Sequence, residues 1–463
     1  MAATTPFDAA LYRKYDMPGP RYTSYPTAPH FTPDFDEAAY RAEAQASNER
    51  LIPRSLSLYA HIPFCESLCY YCACSKIITR RSDKAAVYLD YLERELALQG
   101  ALFDPDRLVT QLHLGGGTPT YLSDAQLRRL MHAISRHFPV APERAREFSV
   151  EVDPRALGPE TLSVLRELGM NRVSLGVQDV DPLVQRAINR IQPAEQVEET
   201  VRQSREAGFH SINLDLIYGL PHQTLAGFDA TLDAVLRWRP ERLSIYNYAH
   251  LPSRVKAQKL IRAEDLPPPA EKLEILQHTV ERLTEAGYRF IGMDHFALPH
   301  DGLSQAMENG SLQRNFQGYS THSECDLVAL GVTGIGMVGD SYSQNCVHLN
   351  SYYRALDAGR LPVVRGYRLN ADDQLRRAVI EAIMCRSSIA YEPIEVDFDI
   401  DFRQYFHREL VMLGPMEADG LLRRYPDRIE ILPVGRLLLR NIAMIFDAYL
   451  GREQAVVQYS RTV

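Results

Sequence analysis

From about residue 56 the chain alternates two hydrophobic patterns. Short β-rich apolar runs give way to longer segments whose apolar residues return every three or four positions. Six runs have strand character: "LSLYAHI" from Leu56, "VTQLHLGGG" from Val109, "EFSVEVD" from Glu147, "RVSLGVQD" from Arg172, "INLDLIYG" from Ile212 and "RLSIYNYAH" from Arg242. Between them, "AAVYLDYLERELALQG" and "AEQVEETVRQSREAGF" have helical spacing and run out at a glycine. Strand and helix in alternation predict βα units and a parallel sheet. Six units in about 200 residues predict an α/β fold, a partial (β/α)6 TIM-like barrel with its chemistry at the carboxyl ends of the strands. A doubly wound open sheet is the alternative that periodicity leaves open.

The flanks read differently. "PGPRYTSYPTAPHF" is too irregular for a helix and reads as an ordered extended segment or lid. After about residue 300 the alternation stops, and residues 371 to 450 read as mainly helical. Within them "DGLLRRYPDRIEIL" resembles a short hairpin, and "GRLLLRNIAMIFDAYL" an apolar helix. The expected organisation is an N-terminal extension or substrate lid over 1–55 and the barrel over 56–300. A barrel extension and connecting segment over 301–370 and a mainly helical C-terminal domain over 371–463 complete it. Helices with a hairpin also suggest a DNA-binding winged helix, but basic and acidic residues nearly balance from Asp401 onward, which favours a capping or substrate-covering role. No internal repeat or low-complexity tract is visible.

Composition narrows the function. A chain of 463 residues with 45% hydrophobic and 24% charged residues is ordinary for a globular protein. A formal net charge of −8 argues against a general nucleic-acid binder. The amino terminus shows no basic region followed by an apolar stretch, so no signal peptide is expected, and no apolar run is long enough for a membrane span. Seven cysteines, four clustered and three scattered at Cys325, Cys346 and Cys385, make a poor disulfide framework. A reducing cytoplasm is the expected location.

The four clustered cysteines lie in "HIPFCESLCYYCACSK", directly after the first predicted strand, spaced C-x3-C-x2-C-x-C. Structural zinc usually takes two ligand pairs a dozen or more residues apart, and a single loop suits it poorly. An iron–sulfur cube held by three thiolates fits better, with its fourth iron left open for reaction. Buried cysteines acting as small hydrophobes are the bland alternative.

The wider pattern resembles a known family. C-x3-C-x2-C after the first strand of a βα barrel looks like the radical S-adenosylmethionine (SAM) superfamily. Together "PRYTSYPTA", "HIPFCESLCYYCACSK", "LHLGGGTPTYL", "EVDPR", "GVQD", "INLDLIYGLPHQT", "NYAHLP", "GMDHFA" and "NFQGY" resemble the oxygen-independent coproporphyrinogen III oxidases, also called dehydrogenases. The resemblance runs from about Pro20 to the carboxyl terminus. It implies a radical SAM barrel and an enzyme of haem synthesis, which turns two propionate side chains of coproporphyrinogen III into vinyls and yields protoporphyrinogen IX.

By that resemblance Cys65, Cys69 and Cys72 hold a [4Fe-4S] cluster, and one SAM chelates the open iron. Tyr59, Gly116, Glu151 and Ile335 match contacts to this SAM. Tyr71, Gly117, Thr118, Gln178, Arg190, Asp215 and Ala249 match the site of a second SAM molecule. Cys74 is then a non-ligand, since a fourth thiolate would block the open iron. For the tetrapyrrole, Arg21 with Tyr22 and Tyr25 forms a candidate contact through charge and aromatic character. Asp294 and His295 stay unassigned. "GIGMVG", Gly334 to Gly339, satisfies G-x-G-x-x-G but opens no amphipathic helix, so it reads as a glycine-rich loop near the adenine rather than a dinucleotide site.

Two further readings stand beside the oxidase. A radical-SAM-like haem chaperone shares the three-cysteine loop, but its relatives typically lack the fourth cysteine and the "YTSYPTA" segment. A non-enzymatic zinc or nucleic-acid module is disfavoured by the single-loop spacing and the acidic balance. Electron donor and acceptor are not identified, and the resemblance leans towards a monomer.

Overall fold

The computed structural model describes residues 7–322, 325–450 and 459–462. The outermost parts of the expected N-terminal and C-terminal segments, residues 1–6, 451–458 and 463, lie outside the described residues.

The six predicted runs form β1 (Ser55–Ile62), β2 (Val109–Gly116), β3 (Glu147–Val152), β4 (Arg172–Gln178), β5 (Ser211–Tyr218) and β6 (Arg242–Asn247). Six more strands extend the same sheet: β7 (Arg289–Gly292), β8 (His295–Ala297), β9 (Cys325–Leu330), β10 (Ile335–Val338), β11 (Ser341–Asn345) and β12 (Val363–Arg368). The order is β12-β11-β10-β9-β1-β2-β3-β4-β5-β6-β8-β7. From β9 to β6 all neighbours are parallel, and the outer strands are antiparallel. Among the described residues the two edges, β12 and β7, do not pair, so the barrel is partial.

Helices cover the outer face. Apart from α1 (Ala9–Tyr15), whose Tyr12 belongs to the C-terminal core, they are α2 (Glu37–Asn48) in the N-terminal segment, then α3 (Asp83–Gly100), α4 (Asp124–His137), α5 (Thr161–Glu167), α6 (Ala194–Glu206), α7 (Leu225–Trp238) and α8 (Pro269–Glu285). Helix α4 shows why they form. Ser123 caps it with Gln126 in a reciprocal box, and Leu127, Leu130, Met131 and Ile134 make one buried stripe.

The strands alternate. Leu56, Leu58, Ala60 and Ile62 of β1 and Phe148, Val150 and Val152 of β3 pack outward in the main core, while their neighbours turn inward. What turns inward is polar: Gln111, His113, Ser149, Glu151, Ser174, Asn213, Asp215 and Ser244. A barrel interior is ordinarily filled with layers of branched apolar side chains. This one stays open.

The N-terminal segment is fastened by a buried ion pair. Arg107, just before β2, pairs with Asp326 of β9, both side chains almost fully buried, and also donates to Ser47 Oγ and Asn48 Oδ1 of α2. Removing one partner of such a pair costs about 3–5 kcal/mol.

Beyond β12, α9 (Ala371–Arg386) and several short helices pack with a small antiparallel sheet of Ser388–Ala390, Arg428–Ile431 and Leu422–Arg424. The expected hairpin is the last two of these strands. The apolar segment after it is not the single helix its pattern predicts. A 3-10 turn, Pro433–Leu438, leads into a short helix, Leu439–Met444. Packing sets this backbone: a side chain at Gly435 would meet the Leu421 carbonyl, and Arg440 is anchored to the Pro20 carbonyl at 3.0 Å. The C-terminal body leans on the barrel through Arg436, which donates to the Phe290 carbonyl at 2.7 Å, and through the Tyr319 hydroxyl, which donates to the Met384 carbonyl at 2.8 Å.

The "GIGMVG" stretch also differs from expectation. It is a turn followed by strand β10, not a loop, because β11 pairs with it from Ile335 to Val338. Gly336 permits close approach on the other side, to β9, since a Cβ there would lie 2.7 Å from the Leu327 carbonyl oxygen. No helix opens after it. Among the described residues no helix is long and apolar enough to cross a membrane.

Candidate active site

The cysteine loop leaves the carboxyl end of β1 and is closed at its base. Phe64–Cys65 pairs in parallel with Ile77–Ile78, the Ile77 amide donates to the Pro63 carbonyl at 2.6 Å, and the Thr79 amide to the Cys65 carbonyl at 2.9 Å. From β2 the Gly117 amide donates to the Ile62 carbonyl at 2.9 Å. A Cβ on Gly117 would stand 2.7 Å from the Phe64 carbonyl oxygen and 3.0 Å from Cys65 Sγ. Gly116 beside it has φ +119°, a conformation that side chains disfavour. The glycine run therefore lets the β2 backbone lie directly against the cysteine loop.

Loop and strand ends enclose a cavity of about 440 Å3. Cys65, Cys69, Cys72 and Cys74 line one side, Gly116, Gly117 and Thr118 another, and Glu151, Gln178, Arg190 and Asp215 the barrel side, with Tyr71 between. Each predicted ligand thiol has a polar neighbour. Cys65 Sγ is 3.5 Å from Thr118 Oγ1, and Cys69 Sγ is 3.5 Å from Arg155 Nη2 and 3.7 Å from Arg190 Nη1. Lys76 Nζ donates to the Cys72 carbonyl at 2.7 Å. A hydrogen bond from the Cys74 thiol, with the Lys76 charge, pulls the Cys72 thiol below its ordinary range. Two guanidinium groups at Cys69 and the Lys76 ammonium at Cys72 suit thiolate ligands, whereas burial pushes the Cys65 thiol up to about 11. Among the described residues no three His, Cys, Asp or Glu side chains gather around one point, as a single metal ion would require. The donor set and the glycine cradle instead fit an extended, thiolate-bound group.

Arg190 is held from three directions. Its Nη2 donates to the Gly176 carbonyl at 2.6 Å and its Nη1 to Asp153 Oδ2 at 3.1 Å, while its buried Nε has no partner in the protein. Asp153 also accepts from Arg155 at 2.7 Å. Burial pushes the Asp153 carboxyl up, but the two guanidinium groups hold it below the usual carboxylate range.

Glu151 accepts from the Gly116 amide at 3.1 Å and shares a 3.1 Å contact with His113 Nε2. Burial works against its charge, yet His113 and the Gly116 amide keep the carboxyl below its ordinary value. Asp215 is opposite in character. Burial, reinforced by the nearby Glu151 charge, pushes its carboxyl up to about 6, although Ser174 donates to it at 2.8 Å and Asn213 at 2.9 Å. Gln178 reaches the cavity from a left-handed backbone, φ 68°, at an irregularity in the β4–β5 pairing.

Three expected cofactor residues do not line this cavity. Tyr59 stacks on His113 with ring centroids 5.8 Å apart and shares a 3.0 Å hydrogen bond with His61. The Ala249 carbonyl and that of Tyr71 accept from the same Gln258 amide, at 3.1 and 2.9 Å. Ile335, in β10, packs against the cluster of Phe31, Tyr342 and Leu369. Of the expected substrate contacts, Arg21 pairs with Asp294 at 3.2 Å and lies 5.9 Å from the Tyr246 ring centre. Tyr22 and Tyr25 are buried, their hydroxyls bonded to Asp447 and to the Ala448 amide.

Asp153 and Arg155 of "EVDPR", together with His113 and Ser174, line these spaces although the sequence expectations assign them no role. A charged pair directly after a strand's carboxyl end was the available signal.

The chain matches the family model of the Radical SAM superfamily over residues 59–235 and that of the HemN C-terminal domain over residues 369–438. It is 50% identical over 454 residues to the oxygen-independent coproporphyrinogen III oxidase of Pseudomonas aeruginosa, covering 97% of each chain. It is 48% identical over 457 residues to the Escherichia coli K12 protein of the same name, covering 99% of this chain and 98% of that one. Among solved structures it superposes with a TM-score of 0.91 on coproporphyrinogen III oxidase (HemN) from Escherichia coli, described as a radical SAM enzyme. That match has 46% identity and covers 96% of this chain and 100% of the other.

Proposed function

The chain belongs to the oxygen-independent coproporphyrinogen III oxidases, a family of radical SAM enzymes, and we propose how its own residues serve that reaction. The activity is the oxidative decarboxylation of two propionate side chains of coproporphyrinogen III to vinyls, giving protoporphyrinogen IX and carbon dioxide. A [4Fe-4S] cluster with SAM, when bound, would supply the radical chemistry that removes hydrogen from the propionate carbon β to the carboxylate. Cys65, Cys69 and Cys72 hold the cluster, and Cys74 stays free of it. One electron enters from an external donor and one leaves to an external acceptor for each vinyl formed.

The observation that carries this assignment of residues is the single cavity in which three thiols, a glycine cradle and the Glu151, Arg190 and Asp215 side chains face one another. Glu151, held ionised by His113 and the Gly116 amide, accepts ribose hydroxyls of the cluster-bound SAM, with Gly116 beside it and Tyr59 acting through the His113 ring on which it stacks. Arg190 offers its unpartnered Nε to the carboxylate of a second SAM, and Asp215 accepts that molecule's amine or ribose, the pocket being completed by Tyr71, Gly117, Thr118 and Gln178. The reaction requires that water and oxygen be kept from the reacting atoms, a task that falls to the barrel walls and the bound substrate. Arg21, Tyr22 and Tyr25 belong to the segment that covers the tetrapyrrole. The enzyme acts as a cytoplasmic monomer.

The test is anaerobic reconstitution with iron and sulfide, followed by SAM, a reductant and coproporphyrinogen III. Formation of 5′-deoxyadenosine together with a divinyl product supports the reading. Haem binding without turnover would favour the chaperone, and bound zinc without a cluster the zinc module.

A further inference from the structure

A second large cavity, of about 520 Å3, opens beneath the N-terminal segment and apart from the cysteines. Tyr22, Thr23, Ser24 and Tyr25 form one wall, and Leu327, Met337 and Tyr342 bring in β9, β10 and β11. Leu327 pairs with Ser57 of β1 and with Met337, so this wall lies on the sheet face that carries Ser57 and Tyr59. The remaining wall holds Arg54, Arg314, Arg377 and Arg386 against two carboxylates, Glu381 and Asp397.

That balance is unusual for a recess. Arg386 is exposed, whereas Arg54, Arg314 and Arg377 are half-buried, where a guanidinium group without counter-charge is costly. Among the described residues Arg54, Arg314 and Arg386 form no salt bridge, and Glu381 is the carboxylate that Arg377, Arg386 and Arg54 share at longer range. Arg314 Nη1 and Ser24 Oγ are buried without a hydrogen-bond partner, and Ser24 is only 7% exposed. Rings complete the site: Phe316 and Tyr342 stand edge to face with centroids 6.3 Å apart.

The cavity also communicates with the site already described. Asn315 lines both it and the barrel interior, and the interior shares Glu151, Ser174, Asp215 and Tyr246 with the cysteine cavity. A ligand reaching through these spaces would have one end beside the SAM-binding residues and its anionic groups among the arginines.

We infer that this recess is a carboxylate anchor for the tetrapyrrole, in which Arg54, Arg314 and Arg386 bind propionate groups of the substrate other than the one reacting, with Phe316 and Tyr342 against the macrocycle. The inference rests on the coproporphyrinogen reading. Guanidinium forks match carboxylates with two parallel hydrogen bonds, and a four-carboxylate substrate supplies the missing counter-charge. Arg21, already paired with Asp294 outside this recess, is not part of the anchor.

The test uses the full chain and two unreactive porphyrins, coproporphyrin III with four carboxylates and mesoporphyrin IX with two, read by fluorescence quenching at fixed ionic strength. Arg54→Gln and Arg386→Gln are each expected to weaken coproporphyrin III binding by about tenfold, the worth of a charged hydrogen bond. Mesoporphyrin IX should lose less, and KM for coproporphyrinogen III should rise with kcat little changed. Arg386→Lys should recover part of the affinity at unchanged melting temperature. Equal losses for both porphyrins, or unchanged KM in a protein that turns over normally, would overturn the anchor. If the unmodified chain binds coproporphyrin III through these arginines yet never forms the divinyl product, the functional reading fails and the anchor stands.

Discussion

Arg190 and Asp153 form a nearly buried ion pair, Nη1 to Oδ2 at 3.1 Å with 7% and 13% of their side chains exposed, and the same Nη1 lies 3.7 Å from the Cys69 sulfur. One guanidinium therefore joins the cysteine loop to the carboxyl end of β3. Arg190→Gln leaves Asp153 with only Arg155 and the Gly176 carbonyl with only the Gln192 amide, at 3.2 Å. Loss of one partner from such a pair costs about 3–5 kcal/mol. The expected result is a lower melting temperature and SAM binding weakened by at least tenfold in calorimetry. Wild-type affinity in a folded variant would remove Arg190 from the SAM site.

Gly117 has no room for a methyl group, with Phe64 O at 2.7 Å, the Pro63 carbonyl carbon at 2.9 Å and Cys65 Sγ at 3.0 Å from the position a Cβ would take. Gly117→Ala should displace the cysteine loop. Iron and sulfide content after anaerobic reconstitution is expected to fall well below that of the unmodified protein. Full cluster loading would mean that the close approach has no part in cluster binding.

Cys74 is exposed, whereas Cys69 is buried and Cys65 and Cys72 are half-buried. Serine at Cys74 should retain iron content and the cluster's visible absorption, while serine at Cys65, Cys69 or Cys72 should lose both. Loss in all four variants would contradict three-thiolate ligation.

The raised Asp215 carboxyl makes stability depend on pH in a definite direction. Its folded value of about 6 lies above the ordinary 3.8, so the folded protein takes up this proton more readily than the unfolded chain. The stabilisation is complete below about pH 4 and is lost as pH rises through about 6. Asp215→Asn removes that loss, worth on the order of 2–3 kcal/mol. The variant should melt a few degrees higher than the unmodified protein at pH 7.5 and show no gain at pH 4, in calorimetric scans without SAM. A gain at both pH values, or at neither, would mean that Asp215 ionises normally. SAM should stabilise the variant less, since its cation no longer meets a carboxylate.

Much of the fold could be read because β1 to β6 alternate: outward apolar residues mark a strand, and the helical spacing between them marks the crossover. Strand β9 escaped that logic. "CDLVAL" is buried on both faces, so it shows no period of two, and only Gly331 directly after it marks an end. Strand β10 was obscured by its glycines, needed for close approach across the sheet rather than for a loop. The site was legible where chemistry is dense, in the cysteine and glycine runs. Asp153, His113 and Ser174 came from separate strands, and only the sheet register brings them together. The arginines of the second cavity come from before β1, from the segment after α8 and from α9, a union no local pattern announces.

Strand β1 sits between β2, which follows it closely, and β9, which begins at Cys325. During synthesis at 5–20 residues per second, roughly 10–50 s separate the emergence of β1 from that of its second neighbour. Through that interval the nascent strand that leads into the cysteine loop has one open edge, a template for wrong pairing. Metal loading before Leu330 has left the ribosome would act on an unfinished sheet, so maturation of this enzyme is expected to follow release of the whole chain.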